Sequence, residues 1–222
     1  MQDITNVEKE IQQNLKIAQI EKDLAQKSKI NARIEIKKSK ARETLFKIEF
    51  ELANIKMDLA EKRKVLAKEK SDIKKNKILD FSEEELKNEN DYAIYNEAIA
   101  KNQKDVAEVH KKIAIIERKI AELKLKLCEE KFDVVKARKI LAKKQGKYLN
   151  LVRTYAPENK ISKVKSNIED QKEHLKKQKD DVFEKEKDIK KKENKLAELK
   201  KELSSKLTER EKIRHPGIII AG

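Results

Sequence analysis

The chain has 222 residues, of which 44% are charged and 4% aromatic, with three Gly, two Pro and no Trp. So little turn-forming and aromatic material excludes an ordinary globular or sheet-based interior, whereas long helices need neither. The net charge of +15 suggests a polyanion binder, but 48 of the 56 basic residues are Lys and acidic residues are interleaved throughout; specific nucleic-acid recognition favours the Arg fork and is not expected.

Ile4, Val7, Ile11 and Leu15 open the chain at helical spacing. From Ile17 a heptad frame follows, with a positions Ile17, Leu24, Asn31, Lys38, Leu45, Leu52, Leu59, Leu66 and Ile73. Its d positions are Ile20, Lys27, Ile34, Ala41, Ile48, Ile55, Lys62, Glu69 and Asn76. The seam is strongest from Ala41 to Leu59, and polar members such as Asn31 and Lys38 cost stability while setting register. A first long helix is expected over 1–78, with Leu45 and Leu52 in the central seam. Phe46, Phe50, Ala53, Met57 and Ala60 step along another face of this helix. Phe46, Phe50 and Met57 there form a candidate partner surface, with packing inside the chain as the alternative.

Between residues 74 and 92 the frame shifts by two residues. Ser82 and Glu85 have the spacing of a capping box, and Phe81 and Leu86 that of a hydrophobic staple. The acidic run Glu83, Glu84, Glu85 suits the positive end of a helix dipole. A sharp reversal just before Ser82 is the natural reading, since short loops join antiparallel neighbours.

The second helix, 82–155, has an unbroken a column of Tyr92, Ile99, Val106, Ile113, Ile120, Leu127, Val134, Leu141, Tyr148 and Tyr155. In the d column Tyr95, Val109, Ile116, Leu123, Ala137 and Leu151 can join the same seam. A strict seven-residue repeat over this length points to a left-handed coiled coil. Ile113, Ile116, Ile120 and Leu127 are its expected centre.

A second stripe accompanies the first. The b positions of the second helix read Ala93, Ala100, Ala107, Ala114, Ala121, Cys128, Val135 and Ala142. Those of the first read Ala18, Ala25, Ala32, Ser39, Phe46, Ala53, Ala60 and Ala67. Column b lies about 100° round the helix from a, so it cannot share one narrow seam with d. Each of these helices is therefore expected to touch two neighbours, one through a/d and one through the alanine edge.

Pro157 starts a third helix, 157–214, because proline tolerates a first turn but breaks a helix interior. Its a column is Ile161, Ile168, Leu175, Val182, Ile189, Leu196, Leu203 and Arg210, and most of its d positions are polar. Its b column, Ser162, Glu169, Lys176, Phe183, Lys190, Ala197, Ser204 and Glu211, carries no alanine stripe. Folding back on the second helix is expected, with a kinked continuation as the rival geometry. Pro216 and Gly217 stop this helix, and Ile218 to Ile220 give the 215–222 tail an apolar end suited to a sheet edge or pocket.

The residues suggest no catalysis and no cofactor. Gly146, Gly217 and Gly222 form no phosphate loop, and His110, His174 and His215 have no zinc-ligand spacing. Cys128 reads as a small packing residue, and one cysteine fits a reducing compartment. The opening residues lack a signal-peptide core and no apolar run is long enough to cross a bilayer, so a cytoplasmic protein is expected.

The expected fold is all-α, an elongated coiled coil of three long helices arranged as an antiparallel hairpin or three-helix bundle, roughly 100 Å long at the helical rise. The expected function is that of a non-enzymatic scaffold, spacer or adaptor for protein partners, with self-association into a homo-oligomer. A basic, cysteine-poor helical hairpin is also broadly similar in architecture, over its first two helices, to the stalk proteins of flagellar and type III secretion. That likeness implies a stalk or escort of an export ATPase as one alternative. Electrostatic binding of nucleic acid or another polyanion, through 62–77 and 185–192, is the other.

Overall fold

The structure is a computed structural model that describes residues 2–75 and 82–214. It is all-α: α1 spans Gln2–Lys75, α2 spans Glu83–Arg153 and α3 spans Glu158–Arg214, with no strand among the described residues. Phe81, the rest of the expected first reversal and the 215–222 tail lie outside the described residues.

Local chemistry sets the ends of α2. At its start the Ser82 backbone N–H donates to Glu85 Oε2 and the Glu85 N–H donates to Ser82 Oγ, both at 3.1 Å. Leu86 N–H donates to the Ser82 carbonyl at 3.2 Å, the first bond of the regular helix. The Ser82 amide bond to the Glu85 carboxylate holds that carboxyl below its ordinary range.

At the other end Ala156 N–H donates to the Leu151 carbonyl at 3.0 Å and Tyr155 N–H to the Val152 carbonyl at 3.2 Å. This 6→1 and 5→2 pair is a Schellman stop, which needs a left-handed residue at its C′ position. Tyr155 occupies that position with φ 49°, a region glycine takes without steric cost. The Pro157 carbonyl then accepts from Ile161 N–H at 3.3 Å, so proline stands just ahead of the first turn of α3, where its missing N–H costs nothing.

The chain divides into two compact units, and each helix contributes to both. The first comprises Met1–Lys37 and Lys119–Glu193. An apolar cluster in it joins α2 to α3: Val134, Ala137 and Leu141 pack with Val164, Ile168 and Leu175, flanked by Tyr148, Leu151 and Val182. These are the a and d positions of α2 and mainly the a positions of α3. Lys144 Nζ donates to the Asn167 carbonyl at 3.0 Å and Gln171 Nε2 to the Ala137 carbonyl at 3.3 Å, so α3 lies back against α2.

On the other side of α2 in this unit, Arg138 clamps Glu21 through two guanidinium bonds of 2.9 and 3.1 Å. Asn14 Nδ2 donates to the buried Gln145 side chain at 3.4 Å. Lys29 stands over the Phe132 ring at 5.8 Å. Residue numbers rise along α1 as they fall along α2. That register sets Ala18, Ala25 and Ala32 opposite Ala142, Val135 and Cys128, and all six are buried.

The second unit comprises Lys38–Arg118 and Asn194–Gly222. Here α1 and α2 are joined by Arg42 to Glu117 at 2.9 Å, Lys56 to Gln103 at 3.1 Å, Lys64 to Glu97 at 2.8 Å and Lys70 to Glu89 at 2.6 Å. The same register sets Ala53, Ala60 and Ala67 opposite Ala107, Ala100 and Ala93, again all buried. On the α3 side, Asn102 Nδ2 donates to the Lys206 carbonyl at 3.0 Å and Lys206 Nζ meets Asp105 at 3.1 Å. Exposed ion pairs of this kind contribute only about 0–1 kcal/mol each, so apolar contact is the main source of cohesion and the pairs select register.

Two outcomes follow for the ends of α2. Replacing Tyr155, whose side chain is almost wholly exposed, by Gly relieves the left-handed strain without losing packing. Urea denaturation is expected to show Tyr155→Gly more stable by about 1 kcal/mol. Because the folded pKa of Glu85 is lowered, its stabilising effect is present above the unfolded carboxylate value and is lost as pH falls through the lower folded value. Melting curves from pH 7 down to pH 2 should therefore lose part of their acid sensitivity in Glu85→Gln; an unaltered profile would show that the cap contributes nothing to this dependence.

Candidate interaction surface on the first helix

Heptad logic says that the large a and d side chains of α1 should be its buried seam. In the second unit they are not. Leu45, Ile48, Leu52, Ile55, Leu59 and Leu66 are between 49 and 63% exposed, although they hold the expected a and d places. Leu45 and Leu52, expected in the central seam, therefore stand at the surface. Ile113, Ile116 and Ile120 of α2 are buried and Leu127 is partly buried.

The cause lies in which edges match. Alanine opposite alanine lets two helix backbones approach closely, whereas charged or bulky b residues hold them apart. In the first unit the b column of α3 carries Glu169, Lys176, Phe183 and Lys190, which do not suit the alanine edge of α2, and α3 takes the a/d seam of α2 there. The first helix, whose b column is mostly alanine, takes the alanine edge. Its own a/d ridge is then left about half exposed among the described residues of the second unit. Of the two edges of α1, the alanine side is the buried one among the described residues.

The aromatic patch has a different setting. Phe46 is partly buried and stacks on His110 of α2, with ring centroids 4.6 Å apart. Lys104 and Lys111 of α2 stand 5.9 and 5.7 Å from the centre of the Phe50 ring. Met57 is partly buried. These residues border the α1–α2 contact of the second unit and take part of their cover from it. Beside them, Glu49, Leu52, Val106, His110, Leu207 and Arg210 line an open groove.

Sequence reasoning missed the Arg138 clamp on Glu21 and the Phe46–His110 stack. Arg138 is one of only eight arginines, which was the available signal; its partner could be named only once the alanine register was known.

Burial pushes the Cys128 thiol above its ordinary value, which makes it a poor nucleophile. Among the described residues no group of three or more His, Cys, Asp or Glu could hold a metal ion, and no helix is long and apolar enough to cross a membrane. Comparison with protein-family models, curated proteins and solved structures finds no match.

The two faces of α1 predict opposite mutational responses. In dilute, monomeric conditions Ala60→Leu is expected to cost about 1–3 kcal/mol by overpacking, while Leu52→Ala should stay within about 0.5 kcal/mol of the parent. Urea denaturation measures both, and the reverse order would mean that the leucine ridge, and not the alanine edge, joins α1 to α2.

Proposed function

We propose that this chain is a non-enzymatic scaffold or adaptor, an antiparallel coiled coil that offers a spare helix ridge to protein partners. The observation carrying this reading is the exposed row Leu45, Ile48, Leu52, Ile55 and Leu59, all on one side of α1. Its spacing of three and four residues is that of a helix-binding seam, so the complementary surface is another amphipathic helix. The alanine contact supports the same reading, because it holds α1 in place without using the ridge. The helix is thus already ordered before a partner arrives, which lowers the entropic cost of association.

Electrostatic binding of a polyanion has less support. Within the basic stretch 62–77, Lys64, Lys70, Lys74 and Lys75 already face acidic partners, as do Lys187 and Lys191 within 185–192. These local pairs reduce the field that either stretch projects.

The test is the double variant Leu52→Asp with Leu59→Asp. In the dilute chain helix content by circular dichroism and the melting temperature should match the parent, since neither side chain holds the fold. A large loss of helix would mean that the ridge is needed for folding, and the scaffold reading would lose its surface.

A further inference from the structure

We propose that the ridge from Leu45 to Leu59 pairs with the same ridge of a second copy of the chain, parallel and in register. This rests on the scaffold reading and names its partner.

Three observations point to a second copy. The first is self-complementarity. Leu45, Leu52 and Leu59 at a alternate with Ile48 and Ile55 at d, so one copy provides both the knobs and the holes that another copy needs. Lys62 at the next d position ends the apolar run.

The second is the charge on the two flanks. Glu51 and Asp58 occupy the g row and are exposed, while Glu49, Lys56 and Arg63 occupy the e row. In a parallel pair, g of one helix lies beside e of the following heptad in the other. Glu51 then meets Lys56 of the second copy, and Asp58 meets Arg63 of the second copy. In an antiparallel pair g meets g, which would bring Glu51 and Asp58 of the two copies against each other, while the mixed e row of Glu49, Lys56 and Arg63 discriminates less. The charges therefore favour the parallel arrangement and disfavour the reverse.

The third is that the e row is already positioned. Lys56 donates to Gln103 at 3.1 Å and Arg63 lies 5.8 Å from the Tyr92 ring centre, both contacts with α2 in the same unit. These contacts hold the basic side chains along the border between the ridge and α2. Each keeps further N–H donors for a carboxylate arriving from outside.

Disulfide trapping reads the partner and the direction together. Cys128 is the chain's only cysteine, and Cys128→Ala matches the alanines of its own column. In that background Leu45→Cys and Leu59→Cys are made separately, with Lys47→Cys on an exposed, off-ridge position as the collision control. Under mild oxidation each ridge variant is expected to form a linked homodimer well above the Lys47→Cys level, and a mixture should give little 45-to-59 product. Sedimentation velocity of the parent should show mass rising above 26.0 kDa with concentration. Glu51→Lys with Asp58→Lys should weaken that association at least tenfold.

Strong 45-to-59 linkage with no self-linkage would overturn the parallel pairing. A parent that stays at one chain mass at every concentration would overturn self-association altogether. In that case an unchanged melting temperature in Leu52→Asp with Leu59→Asp would leave the scaffold reading standing with a different protein on the ridge, so the two failures are distinguishable.

Discussion

The contact on which the rest depends is alanine against alanine between α1 and α2. In the second unit Ala53, Ala60 and Ala67 meet Ala107, Ala100 and Ala93, and all six are at most 6% exposed. A methyl group buries little area, so each contact contributes modestly by transfer alone. Its value is steric: the backbones come close enough for flanking lysines, arginines and carboxylates to bridge directly. Larger side chains in that column would open the gap and break the row of pairs from Arg42–Glu117 to Lys70–Glu89.

That one constraint divides the labour among the helices. The second helix has two usable edges and uses both, its a/d seam for α3 and its b column for α1. The third helix has a narrow ridge and no alanine stripe, and it takes the seam of α2 that the first leaves free. The first has a ridge and a small edge, and among the described residues of the second unit its small edge is buried while the leucine and isoleucine row stays about half exposed. An apolar surface of this regularity is costly to leave in water, and the charges on its flanks are ordered as they would be in a partnered helix.

Polar residues along the contacts set register where apolar ones would allow slippage. Asn102 reaches the backbone of α3 from a d position in the second unit, as Lys144 and Gln171 do between α2 and α3 in the first. Arg138 and Glu21 serve α1 and α2 in the same way. A seven-residue repeat matches itself again after every shift of seven, so such singular contacts distinguish one alignment from the others.

The all-α class was legible in the sequence because helix formation depends on local features: a 3.5-residue apolar period, few glycines and two prolines outside the periodic stretches. The bonds that cap α2 are equally local, joining Ser82 and Glu85 three residues apart. Which stripe of α1 is covered was not legible. Its Leu45–Leu59 row and its alanine column are both regular, and burial of the larger side chains is the ordinary rule. The sequence by itself determined that three helices would form and that α1 and α2 would each carry two stripes. Only the tertiary structure decided their pairing, because every edge competes for neighbours with the edges of the other two helices and an alanine stripe at b occurs on α1 and α2 but not on α3.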